Sequence, residues 1–191
     1  MTTYRLVKEG NATIVRAISS AQSSGWIRPV SVDPKEYPIL QWRWKISNVI
    51  QKSDVRKRSG DDYAARIFLL FPAAPTQPKS LFVSFRNKVA TLLFGQYGFP
   101  QAINYVWENK TPRGTFVPSA YYPDSVVMLV VRNHQDPPNT WITEQRNFYE
   151  DYRKAFGQDP PRLAGCAILT DTDNTRESVT AYYGDILVKK K

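Results

Sequence analysis

Two short acidic segments contain the residues best suited to chemistry in this 191-residue sequence. Asp61 and Asp62 precede an apolar run, and Asp171 and Asp173 lie in a second, turn-like segment. Carboxylates accept hydrogen bonds from hydroxyl groups, bind cations, and work in pairs as acid and base in glycoside hydrolysis. The two segments therefore predict a binding site, a cation site or a hydrolytic site.

Arg66 is the basic residue expected to hold these carboxylates in place. It alternates with Phe68 and Leu70 in the apolar run, so its side chain is expected on the same face of one strand. A guanidinium on an apolar face needs a carboxylate partner, and Asp61 or Asp62 is nearest in sequence. We predict that Arg66 is largely buried and bonded to a carboxylate.

The stretch 95–122 supplies the aromatic part of the candidate site. It is rich in aromatic residues, prolines and glycines, a composition typical of a long functional loop. We expect Tyr105 or Trp107 to stack against a sugar face, while the alternative is that these aromatic side chains cap the core. The complete set of predicted ligand-binding residues is Asp61, Asp62, Arg66, Tyr105, Trp107, Asp171 and Asp173.

The second acidic segment also raises the question of calcium. It does not follow the twelve-residue EF-hand pattern, because Arg176 stands where glycine is required and Tyr182 where the bidentate glutamate is required. A structural calcium site of another type could use Asp171, Asp173 and a carbonyl oxygen. The alternative is an Asx-rich turn, in which the side chains cap their own backbone. No other cofactor is expected.

The single histidine and the single cysteine do not indicate nucleophilic catalysis. His134, the single histidine, falls in a polar turn, and Cys166, the single cysteine, lies among apolar residues without a basic partner. No disulfide within the chain can form from one cysteine. We therefore predict no catalytic residue. The minor alternative is a glycoside hydrolase that pairs one carboxylate from each acidic segment.

The sequence carries a formal net charge of +9, from 26 Lys and Arg against 17 Asp and Glu. This balance favours anionic partners, such as an acidic protein, nucleic acid or an anionic membrane surface. Because no predicted helix carries a basic stripe, nucleic-acid binding is not expected. No stretch is long and apolar enough to span a bilayer.

Frequent prolines and glycines predict short elements, and the whole chain is expected to form one all-β domain. Leu40, Trp42, Trp44 and Ile46 alternate with polar residues, so this face is expected in the core rather than as a sugar platform. Phe148, Tyr152 and Phe156 have helical spacing. The predicted elements are strands within 4–17 around Gly10, at 25–30, 40–46, 66–71, 80–85, 89–94, 126–132, 163–169 and 180–188, and a helix at 143–156 ending at Gly157.

Ordered motifs along nearly the whole sequence carry a family resemblance. They are Trp42-Arg43-Trp44-Lys45, Gly60-Asp61-Asp62-Tyr63-Ala64-Ala65-Arg66, Tyr105-Val106-Trp107, Ala155-Phe156-Gly157, Asp171-Thr172-Asp173-Asn174-Thr175 and Tyr183-Gly184-Asp185-Ile186. Together they resemble a bacterial family, domain of unknown function 3047. The resemblance implies an exported protein, periplasmic or otherwise extracytoplasmic, although Met1-Thr2-Thr3-Tyr4-Arg5 does not resemble a signal peptide.

The order of elements also resembles the jelly-roll sandwich of carbohydrate-binding modules. The matching segments are Ser24-Gly25-Trp26, Trp42-Arg43-Trp44 and Gly184-Asp185-Ile186-Leu187. This resemblance implies that the all-β domain is a two-sheet jelly-roll sandwich. It also implies a non-enzymatic binding domain that holds a glycan or another polar ligand at the acidic and aromatic site. The alternative is a scaffold or accessory subunit of a larger, membrane-associated protein complex.

Overall fold

The computed structural model describes residues 1–72 and 101–191, which contain eleven strands and two helical segments. The strands are β1 (Thr3–Glu9), β2 (Ala12–Ser20), β3 (Ser23–Val32), β4 (Ile39–Ile46), β5 (Ala65–Phe71), β6 (Gln101–Trp107), β7 (Phe116–Pro118), β8 (Val126–Arg132), β9 (Ile142–Asn147), β10 (Leu163–Asp171) and β11 (Ser178–Lys189). A 3-10 turn (Arg58–Gly60) precedes β5, and helix α1 (Phe148–Phe156) follows β9. The strands predicted at 80–85 and 89–94 lie outside the described residues.

The described strands form two sheets, which confirms the predicted all-β, two-sheet class with one helix. One sheet has the order β1-β2-β11-β4-β9, and the other has the order β3-β10-β5-β6-β8-β7. Neighbouring strands are antiparallel except β6 and β8, which are parallel. β5 lies between β10 and β6 with all seven residues buried, so it is a central strand of its sheet. The jelly-roll connectivity stays a prediction.

The two sheets pack through aromatic side chains that alternate along β4. Trp42 and Trp44 are buried, and they meet two aromatic residues of β6 in the facing sheet. The ring centroids of Trp42 and Tyr105 are 5.2 Å apart, and those of Trp44 and Trp107 are 5.7 Å apart. Offset aromatic pairs at this separation add to the free energy gained by burying their area. The core assignment of the alternating face is thereby confirmed.

The helix begins later than its sequence pattern predicts. Residues 143–147 belong to β9, which pairs with β4 from Ile39 opposite Asn147 to Trp44 opposite Ile142. Asn147 then caps α1, because its Oδ1 accepts a hydrogen bond from the Glu150 backbone N–H at 3.2 Å. Gly157 ends the helix with a φ of 70°, as predicted. The predicted helix at 143–156 is thus wrong for its first five residues, where strand pairing prevails.

Both chemically rare residues lie outside the acidic segments. His134 is exposed in the turn that follows β8, as predicted. Cys166 lies in β10, half-buried at the margin of the core. Within 1–72 and 101–191, no helix has the length and apolar character needed to cross a membrane.

Candidate functional site

The two acidic segments meet at one end of the six-stranded sheet because β5 and β10 are antiparallel neighbours. Arg66, near the start of β5, lies opposite Leu169, near the end of β10. The segment before β5 and the segment after β10 therefore reach the same place. Carboxylate oxygens of Asp62, Asp171 and Asp173 all lie within 4.8 Å of one another. We call this group, together with Asp61, the acidic cluster.

Arg66 is the cation at the centre of the acidic cluster. Only 5% of its surface is exposed, and its Nη2 donates a hydrogen bond to Asp171 Oδ2. Its Nη1 lies 3.6 Å from Asp61 Oδ1. The prediction that Arg66 is buried and bonded to a carboxylate is confirmed. Its partners are Asp61, which is nearby in sequence, and Asp171, which belongs to the other acidic segment. Asp62 is not one of its partners.

Asp62 and Asp171 hold the two segments together through backbone donors. Asp62 is buried and accepts hydrogen bonds from Thr175 N at 2.6 Å and from Asn174 Nδ2 at 3.1 Å. Asp171 is also buried, and its Oδ1 accepts a hydrogen bond from Tyr63 N at 3.2 Å. Each carboxylate thus caps the backbone of the opposite segment. The predicted turn, in which the side chains cap their own backbone, is therefore wrong for Asp171, which caps the other segment. Asp62 and Asp171 both have a structural role.

Asp61 and Asp173 are the carboxylates that solvent reaches. Asp173 is exposed, and the Asp61 side chain is partly exposed. Burial raises the pKa of Asp61 above its usual range, and the Arg66 guanidinium opposes this effect in part. The pKa of Asp173 is raised as well, first by partial burial and then by the neighbouring Asp62 carboxylate. These two residues are the acceptors available to a ligand.

The cluster contains the two carboxylates named in the calcium hypothesis, Asp171 and Asp173. Hard cations such as calcium require six to eight oxygen ligands. Every carboxylate oxygen of Asp62 and Asp171 already accepts a hydrogen bond from a protein donor. In addition, the Arg66 guanidinium already balances part of the negative charge. The arrangement therefore suits neutral hydrogen-bond donors better than it suits a divalent cation.

Tyr105 and Trp107 do not belong to the site, and the prediction of an irregular loop is wrong over β6. Both residues are fully buried in that strand. The Tyr105 hydroxyl donates to Asp151 Oδ2 at 2.9 Å, and Trp107 Nε1 donates to the Asn133 carbonyl at 3.2 Å. Their rings pack between the sheets, so they cannot stack on a sugar. For these two residues the alternative, an aromatic core role, is the one observed.

Within residues 1–72 and 101–191, Tyr121 and Tyr122 are two aromatic residues beside the acidic cluster that are partly accessible to solvent. The Tyr121 hydroxyl lies 3.2 Å from Asn174 Oδ1, and the Arg58 guanidinium lies 5.3 Å from its ring centroid. Partial burial and then the nearby Asp61 carboxylate raise the pKa of Tyr121. The same two effects raise the pKa of Tyr122. Both residues are half-buried. They belong to the predicted aromatic stretch, but no sequence signal distinguishes them from its other members.

A cleft of about 530 Å³ lies beside the cluster, and its lining includes Gly60 and Asn174, which adjoin Asp61 and Asp173 in sequence. Cations line much of it, and the cationic side chains are Lys52, Lys57, Lys110 and Arg176. Among the described residues that line it, Asp54 is the single acidic one. The acidic cluster thus has a basic cleft as its neighbour, and we use that name for it below.

The fold and this site together define an all-β protein with hydrogen-bonding and aromatic groups exposed at one end of a sheet. The chain belongs to the family described as protein of unknown function (DUF3047), which it matches over residues 1–187. A search of curated proteins found no match. The family membership predicted from the motifs is confirmed.

Proposed function

We propose that this protein is a non-enzymatic binding domain that holds a glycan at the acidic cluster. The observation that carries the proposal is that the exposed Asp173 carboxylate and the partly exposed Asp61 carboxylate lie near the half-buried ring of Tyr121. Carboxylates accept hydrogen bonds from sugar hydroxyls, and an aromatic ring contacts the apolar face of a sugar. Such a combination of one aromatic surface and a few oriented polar groups is typical of small-molecule sites.

The buried partners give this site a fixed shape. Arg66 and Asp171 bond across the two strands, and Asp62 holds the backbone of the second segment. A binding group that is held in place loses less conformational entropy when the ligand arrives. The basic cleft would lie against acidic substituents of a longer glycan, so uronic-acid-containing chains are the expected strongest ligands.

A glycan array that carries neutral and uronic-acid-containing oligosaccharides tests the proposal. Wild-type protein should bind a subset of the glycans, and the double variant Asp173→Asn/Tyr121→Ala should lose those signals. The matched control Asp159→Asn/Tyr182→Ala changes an exposed aspartate that follows α1 and a half-buried tyrosine of the other sheet, and it should bind as wild type. Absence of wild-type binding, or equal loss in both double variants, would contradict the proposal.

The same array can separate binding from hydrolysis. In a hydrolase the two carboxylates must both reach the substrate, and a retaining enzyme holds them about 5–5.5 Å apart. Asp62 and Asp171 are buried and already hydrogen-bonded, so only Asp61 and Asp173 remain for such a role. We expect bound glycans to remain intact after prolonged incubation. Release of products by wild type but not by Asp173→Asn would support the hydrolase alternative.

We also propose an extracytoplasmic location for the protein, on the basis of its resemblance to exported bacterial proteins. Cell fractionation with a periplasmic marker is the corresponding measurement. An accessory subunit of a membrane-associated complex is the alternative function. It would be favoured if no glycan binds while the native protein migrates in a complex larger than 21.9 kDa.

A further inference from the structure

We propose that the paired edges of the two sheets, at β1 and β3, form a surface that binds anionic lipid bilayers. Among the described strands, β1 ends one sheet and β3 ends the other. The two edges meet where the rings of Tyr4 and Trp26 lie 5.3 Å apart and the Tyr4 hydroxyl donates to the Ser24 carbonyl at 2.5 Å. We call this edge the β1/β3 seam.

Large apolar side chains are exposed at the seam. Leu6 is 65% exposed, and it lies on the same side of β1 as Tyr4, two residues further along. Trp26 is 44% exposed in β3. Met1, just before β1, is exposed as well. Aliphatic side chains near an exposed tryptophan suit the boundary between lipid headgroups and acyl chains, where tryptophan is enriched.

Cations without acidic partners lie on the same strands as these apolar side chains. Lys8 is on the same side of β1 as Leu6, and Arg28 is on the same side of β3 as Trp26. The first 32 residues contain four cations, Arg5, Lys8, Arg16 and Arg28, and a single acid, Glu9. Within the described part of the chain, none of the four cations forms an ion pair, while Glu9 is already bonded to Lys45. The seam therefore carries a local positive charge that no described acidic side chain neutralises.

Arg5 and Arg16 place two like charges side by side near the seam. The two residues lie directly opposite each other in the register of β1 and β2, so their side chains share one face, which is the face opposite to Leu6. Like charges at such positions destabilise a sheet. Each Lys or Arg near an anionic bilayer contributes about 1 kcal/mol of attraction, so lipid phosphates would offset this repulsion.

The combination of features favours a bilayer over two other anionic or apolar partners. A second copy of the chain would bring the same unpaired cations together, and charged side chains are a known means of preventing pairing between sheet edges. A soluble polyanion would use the cations but would leave Leu6 and Trp26 in water. Only a lipid surface provides both acidic headgroups and an apolar layer for these side chains.

Sedimentation with lipid vesicles tests the proposal at low salt, where surface charge is screened least. The full-length protein should bind vesicles of phosphatidylcholine with about one third phosphatidylglycerol, and it should bind pure phosphatidylcholine far more weakly. Each removed charge should lower the partition coefficient about fivefold. The triple variant Arg5→Gln/Lys8→Gln/Arg28→Gln should therefore lower it roughly a hundredfold. Leu6→Ser should lower it at unchanged charge.

The matched control removes three cations of the basic cleft, through Lys57→Gln/Lys110→Gln/Arg176→Gln. This variant has the same net charge as the seam variant and should keep at least a third of wild-type binding to the anionic vesicles. Circular dichroism should show that both triple variants are folded. No vesicle binding by wild type, or an equal loss in both triple variants, would overturn the proposal.

Tryptophan fluorescence locates the surface that enters the bilayer. Trp26 and Trp141 are the two tryptophans that are not buried. Anionic vesicles should shift the emission of wild type to shorter wavelength, and Trp26→Phe should abolish this shift while Trp141→Phe preserves it. A shift that depends on Trp141 would place the contact elsewhere and would contradict the proposal.

Discussion

Arg66 and Asp171 form a buried ion pair that joins the beginning of β5 to the end of β10. The two residues are 105 positions apart in sequence, and their contact fixes the end of the sheet where both acidic segments lie. Asp61 provides a second, more distant carboxylate for the same guanidinium. Arg66 is therefore the cation that joins the carboxylates of the two acidic segments.

Arg66→Ala should lower the free energy of unfolding by about 3–5 kcal/mol, because it leaves the buried Asp171 carboxylate without its partner. Arg66→Lys should recover only part of this loss, since an ammonium group cannot reproduce the planar fork of a guanidinium. Chemical denaturation at neutral pH measures both values.

The control for this prediction is Lys57→Ala. Lys57 is exposed and pairs with Asp54 at 3.1 Å, an arrangement that contributes little to stability. Its removal should change the free energy of unfolding by no more than about 0.5 kcal/mol. Equal midpoints for wild type and all three variants would show that Arg66 contributes nothing beyond an ordinary surface side chain.

Asp61→Asn should stabilise the protein at neutral pH. The pKa of Asp61 in the folded state is raised above its ordinary value of 3.8, so the folded protein binds more protons than the unfolded chain between those two values. Wild-type stability therefore falls as pH rises through this interval, and the full penalty is present above it. The advantage of Asp61→Asn should shrink as pH falls towards 3.8.

Asp159→Asn provides a control of opposite sign. Hydrogen bonding by Tyr149 lowers the pKa of Asp159, so this carboxylate stabilises the folded state above its unfolded pKa. The contribution is lost as pH falls through the lowered folded value. Thermal unfolding of both variants at several pH values makes the comparison, and a destabilising Asp61→Asn at neutral pH would refute the assigned shift.

The parts of the fold that depend on local pattern could be predicted from the sequence. Alternation alone places Trp42 and Trp44 in the core and puts Arg66 on the same face as Phe68, where it is buried. Long-range pairing accounts for what could not be predicted. Residues 143–147 are extended because they pair with β4, which lies about a hundred positions earlier in the sequence.

The site shows the same division between local and long-range information. The sequence identifies the carboxylates, but the bond from Asp62 to the Thr175 backbone spans 113 positions and carries no local signature. Tyr105 lies in β6, which pairs in parallel with β8. This pairing is equally non-local, so the sequence around Tyr105 has only the composition of a loop. Composition does not distinguish Tyr121, which does lie at the site, from Tyr105, which does not.

Substitution of Trp107 should lower the stability of the protein, whereas substitution of Tyr121 should lower its affinity for the ligand. Trp107→Ala removes a fully buried ring and should cost about 3–5 kcal/mol of stability. Tyr121→Ala should cost about 1 kcal/mol or less, since the side chain is half-buried, and should instead weaken ligand binding. Urea denaturation of the two variants gives the comparison. Similar stability losses would mean that Tyr121 is a core residue.

Calcium should leave the thermal stability unchanged. The oxygens of Asp62 and Asp171 are already hydrogen-bonded, and Arg66 supplies positive charge to the cluster. A ligand that binds only the folded state raises the melting temperature, by an amount that grows with its concentration over Kd. Melting curves in millimolar calcium and in EDTA should therefore coincide. A rise with calcium that Asp173→Asn abolishes would restore the calcium hypothesis.

Calorimetric titration with the strongest glycan from the array tests the central claim most directly. Asp173→Asn and Tyr121→Ala should each weaken binding by about tenfold or more, because a charge-assisted hydrogen bond or a stacking surface is lost. Tyr182→Ala, which removes a half-buried tyrosine on the other sheet, should leave Kd within about twofold of wild type. Unchanged affinity in both site variants would show that the acidic cluster is not where the ligand binds.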